Sequence, residues 1–196
     1  MKNHRSTREK TRARIIDQAD ALFRQFGCGK TTVADIAREL DMSPANIYKF
    51  FRSKNAIIQA GADRTLGRIK EILTQAARTK KRAANRLLDV ILSVYRFNHD
   101  HFRNDRQIYK MVIAATEENW SCVRAFKEFL GKILIEVIED GIRTGEFRRM
   151  NVAATTSVLL DCFTWITNPI LLRGLNPDEV ESRARAQMQL LKKALR

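Results

Sequence analysis

The sequence predicts an all-α fold in two domains: a three-helix unit with a helix-turn-helix over residues 1–55, and a larger helical domain over 56–196. Three observations carry this prediction. Apolar residues recur at three- and four-residue spacing along most of the chain, the period of one helix face. No segment sustains the strict alternation of a half-buried strand. Only eight glycines and three prolines interrupt 196 residues, which leaves room for long elements. At 44% hydrophobic, the chain can build a core and is too apolar for a disordered polymer.

The elements follow in order. Ile15, Ala19, Leu22, Phe23 and Phe26 make one stripe on a first helix of about residues 7–26, and Gly27 supplies its left-handed cap. Val33, Ile36, Ala37 and Leu40 repeat the pattern on a shorter helix with Thr31 or Thr32 as N-cap. Ser43-Pro44 then reads as a cap followed by proline at the first helical position, with Ile47 and Phe51 pointing inward. Ser53-Lys54 opens a longer helix to about Arg78. Further helices are expected at about 82–103, 105–115, 118–143, 152–172 and 177–195, with Pro169 kinking or ending the fourth of them. Asn176-Pro177-Asp178-Glu179 is the strongest start signal: a cap, a proline and two acids in the positive first turn.

Thirty-six Lys and Arg against 22 Asp and Glu give a net charge of +14. Residues 1–110 hold 24 basic and 11 acidic residues, whereas 111–196 hold 12 and 11. A basic front half joined to a neutral back half suggests a polyanion-binding part and a part with another task. No apolar segment follows the basic start, and none reaches the roughly 20 residues of a membrane span. Cys28, Cys122 and Cys162 match no metal spacing. His99 and His101 flank Asp100, but residues two apart on a helix diverge. The expectation is a soluble, cytoplasmic protein with no membrane association, no metal and no cofactor.

Function is most legible from Thr31 to Lys54, TTVADIARELDMSPANIYKFFRSK. Two capped helices around the turn Asp41-Met42-Ser43 make a helix-turn-helix, whose second helix enters the major groove of duplex DNA. Asn46 can pair with adenine and Lys49 can donate to guanine. Thr31, Thr32, Tyr48 and Lys54 offer donors to phosphate oxygens. The alternative is a helical hairpin in an ordinary bundle, with Lys49 and Arg52 merely solvated. So short a second helix buries too little to serve a bundle, and residues 1–60 are net basic. The run Lys2, Arg5, Arg8, Lys10, Arg12, Arg14 reads either as an arm on phosphates or the minor groove, or as a solubilising tail.

From about Arg12 to Ile57 the sequence resembles the TetR family of bacterial transcriptional regulators. The match rests on Gly27, Thr31-Thr32, Ile36-Ala37, Ser43, Ile47-Tyr48, Phe51, Ser53-Lys54 and Ile57, with GIRTGEF at Gly141–Phe147 a weaker echo. The resemblance implies phosphate contacts from Thr32, Tyr48 and Lys54, with Ser43, Ala45, Asn46 and Lys49 facing the groove and Pro44 counted among the DNA-binding residues. Two departures stand out. Asp41 replaces the usual glycine, and aspartate tolerates the left-handed turn conformation better than most residues. Phe50 stands where histidine is common, exchanging a polar backbone contact for an apolar one to a thymine methyl.

The family's members are typically homodimers released from DNA by a small molecule. By that resemblance the last two helices would form the dimer interface, and the larger domain would take an effector. Candidate pocket residues are Tyr95, His99 and Phe102 on one face, with Tyr109, Trp120, Phe126, Phe163 and Trp165 on later helices; each could equally be core. Asp161, a carboxylate in an apolar helix, calls for an arginine partner or a ligand. Two rivals remain: a DNA-binding protein whose larger domain only dimerises, and an enzyme on a helical scaffold. For the enzyme no nucleophile–base spacing or phosphate loop is found.

Overall fold

The computed structural model describes residues 2–102, 105–172 and 175–196, with side chains from residue 7 and without that of Phe102. The described residues form helices α1 (Lys2–Phe26), α2 (Val33–Glu39), α3 (Pro44–Tyr48), α4 (Lys54–Ala77), α5 (Ala83–Phe102), α6 (Arg106–Glu117), α7 (Ser121–Arg143), α8 (Val152–Thr167) and α9 (Pro177–Leu195). Among them there is no strand, and no helix is long and apolar enough to cross a membrane. The expected N-caps are made: Ser43, Ser53 and Asn176 each accept a backbone N–H from the first turn they open, and Asn151 does the same for α8. Gly27 takes the left-handed conformation after α1, at φ +86°.

Two boundaries differ from the sequence reading. The α1 backbone is helical from Lys2, so the basic run continues the helix; no glycine or proline interrupts it. The side chains of Lys2 and Arg5 lie outside the described residues. At the other end, α8 stops at Thr167 instead of about 172. Pro169 biases the residue before it away from helix, and Asn168 is extended at φ −87°, ψ 117°.

Two cores divide the molecule. Ile15, Leu22, Ile36, Ile47, Phe51 and Ile57 close the small one, so the first turn of α4 completes the helix-turn-helix unit. The large core surrounds α5, whose Leu87, Val90, Ile91, Leu92 and Val94 are all fully or almost fully buried. Residues from α4, α7, α8 and α9 enclose it: Leu73, Leu134, Phe163 and Ala184. The apolar stripe of α9 faces inward through Val180, Ala184, Met188 and Leu195, with Leu191 half-buried at its edge.

The end of the large domain away from the small core is tied by polar contacts. The Arg86 guanidinium donates to Ala77 O at 2.6 Å, satisfying a carbonyl at the end of α4. Glu146 accepts from the N–H groups of Ala83 (2.7 Å) and Ala84 (3.2 Å), capping α5 from the α7–α8 turn. Arg148 N donates to Leu195 O at 3.0 Å, joining that turn to α9. Asp140 accepts from Arg86 and Arg143, and these bonds, that of Arg86 foremost, hold its carboxyl below the usual range. Because the folded value is depressed, the stabilisation is present above the unfolded value and lost as pH falls through the folded one. Asp140→Asn should therefore narrow the difference in denaturant midpoint between neutral pH and acid. An unchanged difference would remove Asp140 from the acid response.

Candidate nucleic-acid interface and an internal cavity

The helix-turn-helix is built from local chemistry. Thr32 Oγ accepts from Asp35 N at 3.1 Å while the Asp35 carboxylate accepts from Thr32 N at 2.9 Å, a reciprocal cap on α2. The hydrogen bond that the Thr32 hydroxyl donates to the Asp35 carboxylate at 2.7 Å, followed by that from Thr32 N, lowers the Asp35 pKa. Met42 N returns to Ala37 O at 2.9 Å, and Asp41 adopts φ +54°. The turn survives the loss of its glycine, as the sequence reading expected. Ser43 Oγ then accepts from Asn46 N at 3.2 Å to start α3.

Along α3, Ile47 is fully buried and fixes which residues face out. Ser43, Pro44, Ala45, Tyr48 and Lys49 are exposed, and Asn46 is half-buried. Phe50 is half-buried against the small core, which leaves only part of its ring to meet another molecule. The start of α1 leans on the same end of the unit. Arg12 lies over the Phe51 ring at 4.3 Å and donates to Phe50 O at 3.3 Å, while Arg8 is 5.9 Å from the Phe50 ring. The basic flank of α1 thus borders the segment that directly follows α3.

Two expected phosphate contacts require correction or revision. Thr31 is only 2% exposed and its hydroxyl donates to Gly27 O at 3.0 Å. It holds the α1–α2 loop together and is turned away from the surface. The Lys54 ammonium donates to Cys28 O at 2.8 Å and Thr31 O at 3.0 Å. Its long stem lets it curl back over the loop, so the charge sits beside the start of α2 with two of its donors engaged.

A cavity of about 450 Å³ lies between the small unit and the large domain. Its wall takes Ile16, Ala19 and Phe23 from α1, Ile57 and Ile58 from α4, and Phe97 from α5. Met111, Phe126 and Leu160 continue it on α6, α7 and α8. Polar groups share the lining with this apolar wall and include Arg64, Arg68, Asn98, His101, Lys127 and Thr164. Of the pocket residues expected from sequence, Trp120, Phe126 and Asp161 line this space. The Phe102 side chain lies outside the described residues.

The other five do not line it. Phe163 is fully buried core, and Tyr95 is core with its ring 5.9 Å from that of His99. Tyr109 donates its hydroxyl to Pro169 O at 3.2 Å. Trp165 donates to Gln187 at 2.9 Å and lies under Arg183, joining α8 to α9. Asp161 is exposed, and no arginine pairs with it among the described residues, so the expected ion pair is absent. Sequence reading missed Asn98 and His101, which follow Tyr95 on α5 but turn toward the cavity. It also missed Arg64 and Arg68, whose four-residue spacing on α4 was the available signal.

A capped helix, a left-handed turn and a second capped helix with an outward polar face define a helix-turn-helix protein of the DNA-binding class. Residues 15–60 match the family model of bacterial regulatory proteins, tetR family. Residues 83–187 match that of the tetracyclin repressor-like C-terminal domain. The chain belongs to the TetR family.

A probable HTH-type transcriptional regulator of Bacillus subtilis (strain 168), YttP, is 27% identical over 104 residues. That alignment takes 52% of this chain and 50% of the relative, so the chain spans about half the length of the curated relative it matches. A TetR/AcrR family regulator from Thermobifida fusca has the same fold at a TM-score of 0.72 and 22% identity, covering 91% of this chain and 97% of the other. FadR from Bacillus subtilis, solved with stearoyl-CoA, gives 0.67 and 17%, covering 94% and 99%.

Proposed function

We propose that this chain is a cytoplasmic repressor that binds a palindromic operator as a homodimer and is released by a small molecule. The division at residue 55 separates the DNA-reading unit from the effector-binding and dimerising domain. Asn46 and Lys49 read base edges, with Ser43, Pro44, Ala45 and Phe50 beside them in the groove. Tyr48 holds a phosphate, Thr32 does so by turning its hydroxyl away from Asp35, and Lys54 does so with the one ammonium donor the loop leaves free. The observation that carries the release mechanism is the shared wall: Ile16, Ala19 and Phe23 belong to the small core and also border the cavity. A molecule that fills the cavity acts on the placement of α1, and through it on α3. Its volume suits a small ligand with an apolar body.

Dimerisation through α8 and α9 is supported by Val158 (55% exposed) and Leu190 (69% exposed), large apolar side chains left uncovered on those helices. Leu191 is half-buried against the chain's own core. Leu190→Glu should therefore convert the dimer to monomer in sedimentation with little loss of helix content. A dimer that persists would move the interface elsewhere.

Selection of bound duplexes from a random DNA pool, at two salt concentrations, tests the reading as a whole. A recovered palindrome with half-sites about 34–36 Å apart is expected. Salt-sensitive binding without an enriched sequence would overturn it. The chain then grips phosphates without reading bases.

A further inference from the structure

The net charge of +14 is not distributed along the molecule but sits at its two ends. Residues 1–60, the helix-turn-helix end, carry twelve basic and six acidic residues. The α4–α5 turn, the end of α7 with the α7–α8 turn, and the end of α9 (residues 78–86, 139–149 and 192–196) carry eleven basic residues against three acidic. All other residues together hold thirteen of each sign.

Those three segments form one surface, because Arg86 bonds to Ala77, Glu146 caps Ala83 and Arg148 N bonds to Leu195. Two of the three acids are already used: Asp140 pairs with Arg86 and Arg143, and Glu146 caps α5. Among the described residues, Arg78, Lys80, Arg82, Arg148, Arg149 and Lys193 are exposed and have no acidic partner.

Distance decides what this charge can act on. The 24 residues of α4 run from the small core to this surface, about 36 Å at the helical rise. That is several times the Debye length of about 8 Å at physiological ionic strength, so the patch adds almost nothing to the grip on a duplex held by α3. Concentrated like charge also repels itself, a cost that an anionic partner removes. None of the exposed large hydrophobic side chains falls in the three segments, so nothing here would insert into a bilayer. Arginine forks match phosphate oxygens in paired geometry.

We infer that this distal pole binds the phosphate backbone of a second DNA duplex, so that one protein can hold two duplex segments. The inference is independent of which sequence α3 reads.

The test uses the full chain and a short random-sequence duplex. Asn46→Glu with Lys49→Glu blocks the recognition helix. Arg82→Glu, Arg148→Glu and Arg149→Glu reverse the pole; glutamate before the N-terminus of α5 suits the helix dipole, and the other two sites are exposed. The blocked protein should still bind the duplex. Adding the three reversals should weaken that residual binding at least about tenfold and flatten its salt slope by about 3 between 50 and 200 mM. Unaltered protein should capture a second labelled duplex on an immobilised first one, and the three reversals should abolish capture.

No residual binding in the blocked protein, or residual binding indifferent to the reversals, would overturn the pole while leaving the operator reading intact. Reversals that release the protein from phosphatidylglycerol vesicles but not from duplex would overturn it in favour of a lipid surface. A pole that behaves as expected with no palindrome recovered from a random pool would instead sink the operator reading alone.

Discussion

Replacing Gly141 with alanine is expected to destabilise the protein by about 2 kcal/mol, within the usual range for overpacking a filled core. A Cβ built there would lie 2.3 and 2.5 Å from Phe147 ring atoms and 2.9 Å from Ala83 Cβ. The ring has little room to retreat, since Phe147 is 3% exposed and its own N–H bonds to Gly141 O at 3.0 Å. Moving the turn would also withdraw Glu146 from the start of α5. Alanine's better helix propensity, about 1 kcal/mol, offsets only part of this. At the usual 2–4 °C per kcal/mol for a chain of this size, the melting temperature should fall by roughly 4–8 °C. Phe147→Leu in the same chain should cost less than it does alone, because the two sites share one contact. A Gly141→Ala protein that melts with the parent would show that the turn yields without cost.

Lys49→Ala should reduce discrimination between the selected operator and a single-base variant by about 5- to 150-fold, the value of one good base contact. Lys49 is exposed next to α3 and is free to reach a base edge. Lys54→Ala should act differently. Its ammonium holds Cys28 O and Thr31 O, so its loss loosens the loop that sets Thr32 and the start of α2. Affinity for all duplexes should fall alike, the salt slope should drop by no more than about 1, and thermal stability should fall with them. Titrating both proteins against matched and mismatched duplexes separates the roles. Equal loss of preference in the two would contradict the assignment.

Local chemistry made the helices legible. Ser43, Ser53 and Asn176 announce their helices because a cap needs only the residues it adjoins, and Asp41 could be placed in the left-handed region for the same reason. The inward face of α3 followed from helical period. The cavity was less legible, since period says which side chains point inward but not whether the space they meet is full. Phe163 and Tyr95 point inward and are packed, whereas Phe126 points inward and borders open volume. Long side chains hid their targets as well: Lys54 bends back to carbonyls 23 and 26 residues earlier in the chain. Asp161 looked like a buried carboxylate because its neighbours are apolar, yet it occupies the exposed side of α8.

The wall that α1 lends to the cavity has a thermodynamic consequence. If occupancy of that space weakens the hold on an operator by some factor, the operator must weaken the hold on the occupant by the same factor. DNA is then an antagonist of the small molecule. Protein seated on its operator would need a higher concentration of that molecule than the same protein free in solution, and effector affinities measured without DNA would overstate sensitivity at the promoter.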